Sequence, residues 1–149
     1  MQVGVALAQV STVPPGTGII NPNWLLMDSG STVSSVKNPN LLTDLCKSAD
    51  TMCIFTNGGS QDYSDIGTLK LFPFNVYFNP NSLANILLLT EVLEMFRVTM
   101  DTANEPTITV HISDDVFLHF KQCSSGLFYY ATSNENNTTV VSYSFLSTI

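Results

Sequence analysis

Positive charge is what this 149-residue chain has least of: five Lys and Arg stand against twelve Asp and Glu, a net charge of −7. The five (Lys37, Lys47, Lys70, Arg97 and Lys121) are scattered along the sequence. No basic stripe exists to follow a phosphate backbone, so nucleic acid is not an expected partner of this segment. An anionic membrane surface is disfavoured on the same ground. Long apolar runs are also missing. No stretch reaches the length of a membrane-spanning helix, and the apolar start, Met1 to Val10, lacks the positive flank and the length of a signal peptide. Cysteines are few. Cys46, Cys53 and Cys123 form neither a metal spacing nor a full disulfide set, and they read as reduced thiols in a cytoplasmic protein. Asn136 and Asn137 each open an Asn-x-Thr pattern, which has meaning only in a secreted chain. His111 and His119 lack a third ligand and read as surface side chains. No metal or cofactor is expected. Gly-x-Ser-x-Gly is absent, and neither His is tied locally to a candidate serine nucleophile.

What the chain does have is apolar content. Hydrophobic residues make up 44% and charged residues only 11%. The length suits one domain with a substantial core, and the low charge leaves apolar surface for self-association. The most informative segment is Asp28-Ser29-Gly30. It follows the apolar run Trp24-Leu25-Leu26-Met27 and precedes Ser31-Thr32-Val33. A strand is expected to run into a tight turn with a carboxylate at its tip. The hydroxyls of Ser29, Ser31 and Thr32 stand close enough in sequence to donate to that carboxylate, as general acid/base work requires.

The rest of the chain reads as mainly β. Residues 1–20, with Pro14-Pro15-Gly16, read as a linker or N-terminal arm. A domain is expected over 21–131, and 132–149 reads as a linker or C-terminal arm in which Val140 to Phe145 could form a strand. Val33 to Val36 is a short strand candidate and Asn38-Pro39-Asn40 a turn. Thr51 to Thr56 and Gln61 to Leu71 should form a hairpin around Asn57-Gly58-Gly59. Val76-Tyr77-Phe78 is a further strand. The Ser82 to Phe96 region is apolar all round in its middle, which suggests a buried strand leading into a helix near Thr90. Ile108, Val110 and Ile112 alternate with polar residues, as do Val116, Leu118 and Phe120, so a second hairpin is expected there. Asp114-Asp115 reads as its solvated turn.

Trp24-Leu25-Leu26-Met27-Asp28-Ser29-Gly30-Ser31-Thr32 resembles the active-site segment of retropepsin-like proteases in copia-type retrotransposon Gag-Pol polyproteins. Thr56 to Gly59 resembles their Asn-Gly stretch, and Tyr77 to Leu89 resembles their Pro/Leu/Asn block and the apolar run that follows. Phe96 to Asp101 and Ser125 to Tyr130 resemble two further blocks. The resemblance covers roughly residues 23–130. It implies a closed acid-protease β fold with one short helix in its C-terminal half. It also implies a homodimer that cuts a polyprotein in the cytoplasm, including within virus-like particles. On this reading Asp28 is catalytic, and Ser29, Gly30 and Ser31 support it. Asn57, Gly58 and Gly59 are candidates for a flap over the substrate. One position departs from the family: an apolar pair before the helix is usually followed by Gly, and here Ile86-Leu87 is followed by Leu88. The alternative is a non-catalytic retropepsin-like module from a decayed element, serving in assembly.

Overall fold

A computed structural model describes residues 2–5, 20–56 and 59–133. The rest of the expected N-terminal arm, Asn57 and Gly58, and the expected strand over 140–145 lie outside the described residues.

The strands are β1 (Gln2–Val5), β2 (Trp24–Asp28), β3 (Ser35–Val36), β4 (Leu42–Thr56), β5 (Gly59–Leu69), β6 (Asn75–Phe78) and β7 (Asn85–Leu88). Helix α1 (Leu89–Met95) follows, then β8 (Arg97–Asp101), β9 (Thr107–His111), β10 (Phe117–Gln122) and β11 (Phe128–Ala131). All eleven strands belong to one sheet in the order β1-β4-β5-β6-β3-β7-β2-β11-β10-β9-β8. The protein is mainly β, with one α-helix among the described residues. A closed fold was expected; among the described residues the hydrogen-bonded order runs from β1 to β8, and these two strands are not paired with each other.

The sheet works by period-2 alternation. Leu25 and Met27 enter the main core, where Val36, Leu87, Val110 and Phe120 are also buried. Leu26 enters a smaller cluster with Ala84, Ile86 and Leu127. A third cluster joins Val33, Met52, Ile54 and Tyr63. A side chain as buried as Leu25 or Leu87, both 0% exposed, contributes about 2 kcal/mol through the apolar area it removes from water.

The apolar run before the helix divides as its composition suggested. β7 is buried through its first three residues, and α1 begins at Leu89. Seven residues make too short a helix to persist alone; Val92, fully buried, anchors it. Glu91 in the first turn suits the positive end of the helix. Phe96 leaves helical geometry (φ −135°) and its N–H closes on the Val92 carbonyl.

Two elements differ from expectation. β4 begins at Leu42, nine residues before the expected strand. Its first half is mostly exposed, with Leu45 at 45%. Register shifts between Thr43 and Cys46 and between Lys47 and Met52 break its alternation, and Asp44 has φ 56°. The second is the start of the chain. Residues 2–5, expected in an arm, pair in parallel with Met52 to Phe55 of β4. Asn38-Pro39-Asn40 does form a turn, a short 3-10 segment capped by the Asn38 side chain, which accepts from Asn40 N.

Candidate active site

β2 lies between β7, parallel to it, and β11, antiparallel to it. Asp28 is its last residue and is only 5% exposed. By alternation it shares the face of Leu26, away from the main core. Both carboxylate oxygens accept hydrogen bonds from the turn that follows. The Gly30 N–H donates to Oδ1 at 2.7 Å, and the Ser31 hydroxyl donates to Oδ2 at 2.9 Å. Ser31 is itself buried. Short donor–acceptor distances on both oxygens fix the plane of the carboxylate. Ser29 is exposed at the tip of the turn. A glycine directly after a strand-end turn invites the expectation of a left-handed backbone. Left-handed φ among the described glycines belongs to Gly59 and Gly126 instead, so Gly30 serves the turn through its N–H.

Asp28 opens on a cleft of about 280 Å³ walled by Leu26, Ile86, Leu89, Met100 and Leu127. Apolar walls around a held carboxylate favour an apolar ligand with a polar centre.

Sequence reasoning missed the residues behind the site. Ser34, 3% exposed, donates to Glu91 Oε1 at 2.7 Å and accepts from the Leu88 N–H at 2.9 Å. Leu88 is the register partner of Asp28. Ser34 therefore ties the start of α1 to the strand beside the carboxylate. Asn85, 0% exposed, accepts from Lys37 N and Asn38 N and donates to the carbonyls of Pro22 and Trp24. It fastens the entry to β2 to β7 and to the turn after β3. Asn85 is the Asn of the Pro/Leu/Asn block, whose role the sequence does not reveal, and Ser34 carries no signal of its own among its Ser and Thr neighbours.

Of the flap candidates, Gly59 is described. It pairs with Thr56 at the end of the β4–β5 hairpin and has φ 122°. A Cβ there would meet nothing within 4 Å, so backbone conformation, not space, calls for glycine. Below this end of the hairpin lies a second cleft of about 270 Å³. Tyr63, 4% exposed, lines it, and its hydroxyl is hydrogen-bonded to that of Ser82. Burial pushes the Tyr63 phenol up, so it remains a hydroxyl.

The remaining singled-out residues fall elsewhere. His111 and His119 lie on β9 and β10, hydrogen-bonded to Thr99 and Thr109 at 2.9 Å. Burial lowers the affinity of both for a proton, and positive neighbours add to it: Arg97 at His111, and Lys121 with His111 at His119. No group of His, Cys, Asp and Glu among the described residues could hold a metal ion. The three cysteines are free. Asp114 and Asp115 are exposed in the β9–β10 turn. Tyr129 stacks on Trp24 with ring centroids 3.9 Å apart, and Tyr130 packs on Phe120 at 5.8 Å. No helix among the described residues is long and apolar enough to cross a membrane.

Comparison of the chain with protein-family models, with curated proteins and with solved structures found no match. The functional reading accordingly rests on the chain's own residues.

Proposed function

We propose that this chain is an aspartic endopeptidase of retropepsin-like fold, working as a homodimer on a retrotransposon polyprotein. The observation that carries the reading is Asp28: a buried carboxylate at the end of a core strand, with a donor on each oxygen, facing an apolar cleft. One chain supplies one such group, and the chemistry needs two. A second copy related by a two-fold axis brings the other Asp28 to the same point. Two carboxylates at that distance hold one proton between them and titrate as a pair. The charged member removes a proton from a bound water. The protonated member donates to the scissile carbonyl as the water attacks. Ser31 and Gly30 keep each carboxylate in plane through this exchange, and exposed Ser29 is available to the partner chain. Gly59 and the hairpin it closes serve as a cover that excludes water. The reaction needs no metal, cofactor or covalent intermediate. In this reading the enzyme acts in the cytoplasm, including within virus-like particles.

A second reading has one specific observation behind it. Leu88, not Gly, is the register partner of Asp28, and its side chain adds bulk beside the carboxylate. A non-catalytic assembly module of the same shape would tolerate that. Autoprocessing of a longer polyprotein, with and without Asp28→Asn, separates the two. The protease reading expects wild-type processing that stops with Asp28→Asn and with a pepstatin-like transition-state analogue. Processing that survives both, but stops with a chelator or a serine reagent, points to other chemistry.

A further inference from the structure

The cleft beneath the β4–β5 hairpin is built differently from the one at Asp28. Its floor holds three hydroxyls from three separate elements. Ser35 on β3 is 3% exposed, Tyr63 on β5 4%, and Ser82 before β7 5%. The Tyr63 hydroxyl is bonded to that of Ser82, and Ser35 lines the same cleft. The bonded pair has two hydrogens and uses one between them. The other O–H hydrogen is left to be given to an acceptor outside the pair. Around the hydroxyls stand the apolar side chains Ile54, Ala84 and Ile86. Thr56, Ser60, Gln61 and Asn81 also line it, and none of the described lining residues is charged.

Ile86 joins this cleft to the one at Asp28, since it lines both. Ser35 pairs with Ile86, and Ile86 pairs with Leu26. Asp28 lies two residues further along β2 on the same face. Two strand steps of about 4.8 Å and two residues of about 3.3 Å put Ser35 roughly 12 Å from Asp28. An extended peptide covers that distance in three or four residues.

We propose that the Ser35–Tyr63–Ser82 cleft is a side-chain pocket for the substrate, and that it selects an uncharged amide side chain, Asn or Gln, three or four residues from the cut bond. This rests on the protease reading above and adds the substrate class. The side-chain carbonyl accepts from the bonded hydroxyl pair, and the methylenes lie against Ile54 and Ile86. A carboxylate of similar shape is rejected, because it meets no cation there and enters a chain of net charge −7. A purely apolar side chain fits the walls but leaves the floor without an acceptor, and a pocket built to hydrogen-bond discriminates against such a residue.

The test profiles cleavage of a library of extended peptides by wild type, Tyr63→Phe and Ser82→Ala. Tyr63→Phe keeps the ring packed against Val33, Met52 and Ile54 and removes only the hydroxyl. Wild type should prefer Gln or Asn over Leu and over Glu or Asp at one position. Tyr63→Phe should lower kcat/KM for the Gln peptide about tenfold, the effect of one lost neutral hydrogen bond, and for the Leu peptide by clearly less. Cleavage without an amide preference, or an equal loss for Gln and Leu, overturns the assignment. Failure of wild type to cleave any peptide defeats the protease reading instead. Amide NMR titration with N-acetylglutamine N-methylamide then decides the pocket alone. Shifts confined to Ser35, Tyr63 and Ser82, lost in Tyr63→Phe, sustain it; no shifts there overturn it.

Discussion

Asp28 and Leu88 are opposite one another in the parallel β2–β7 pair, so the residue that caps α1 is the neighbour of the candidate catalytic carboxylate. Two consequences can be measured on Asp28. Asp28→Asn should lower turnover by about 10²–10⁴-fold, the usual scale for a general acid/base group. The Asn side chain matches Asp in size, so melting should shift by a few degrees at most. Mixing equal amounts of wild type and Asp28→Asn should leave about a quarter of the activity, because random pairing on a two-fold axis leaves one dimer in four with both carboxylates. Half the activity remaining would mean each chain works alone. Activity per chain should also fall on dilution as dimers dissociate.

Asn85 should matter more to stability than to chemistry. Its side chain joins four backbone groups while fully buried. Asn85→Ala leaves those donors and acceptors without their partner inside the fold. The expected cost is about 3 kcal/mol or more, read as a lower urea midpoint. A loss below about 1 kcal/mol would show that water replaces the side chain.

The histidines set a pH dependence of folding. Both are held below the ordinary imidazole value in the fold, whereas in the unfolded chain they titrate near about 6.5. The unfolded state therefore binds more protons as pH falls, and stability falls with it. Their contribution is complete above pH of about 6.5 and is lost as pH drops through that value toward the folded one. Around His111 stand Arg97, Thr99 and Phe117; around His119 stand Lys121, Thr109 and Phe117. Urea unfolding at pH 8 and pH 5.5 should show a larger loss for wild type than for the His111→Gln/His119→Gln double variant. Equal losses would assign the effect to carboxylates.

Gly4 ties β1 to the sheet through close approach. A Cβ there would fall 2.7 Å from Val33 Cγ1 and 3.2 Å from the Met52 sulfur. Gly4→Ala should destabilise by about 1–3 kcal/mol, the range for overpacking. It should also speed amide exchange at Ile54, its register partner. An unchanged exchange rate at Ile54 would place the strain elsewhere.

Local signals carried much of this structure. Trp24 to Met27 announces a buried strand, Asp28 to Gly30 a turn, and the paired alternations near Val110 and Leu118 a hairpin. The change from β7 to α1 is visible because the run is apolar all round before Thr90 and amphipathic after it. β8 was less legible. Val98 and Met100 do alternate with polar neighbours, but the preceding helix obscures where the new period starts. The extension of β4 was hidden by its register shifts and its exposed Leu45. The Tyr63–Ser82 and Ser34–Glu91 bonds join residues 19 and 57 apart in sequence, and only the strand register brings them together. A single sequence has no term for such pairs.

The placement of β2 also sets a schedule. Its neighbours β7 and β11 come from Asn85–Leu88 and Phe128–Ala131. Long-range pairings of this kind close slowly, and during synthesis they wait for the later strand to leave the ribosome. The Asp28 carboxylate is thus translated early but seated only when Tyr129 and Tyr130 arrive. A chain still shorter than that carries Asp28 without the two strands that frame it.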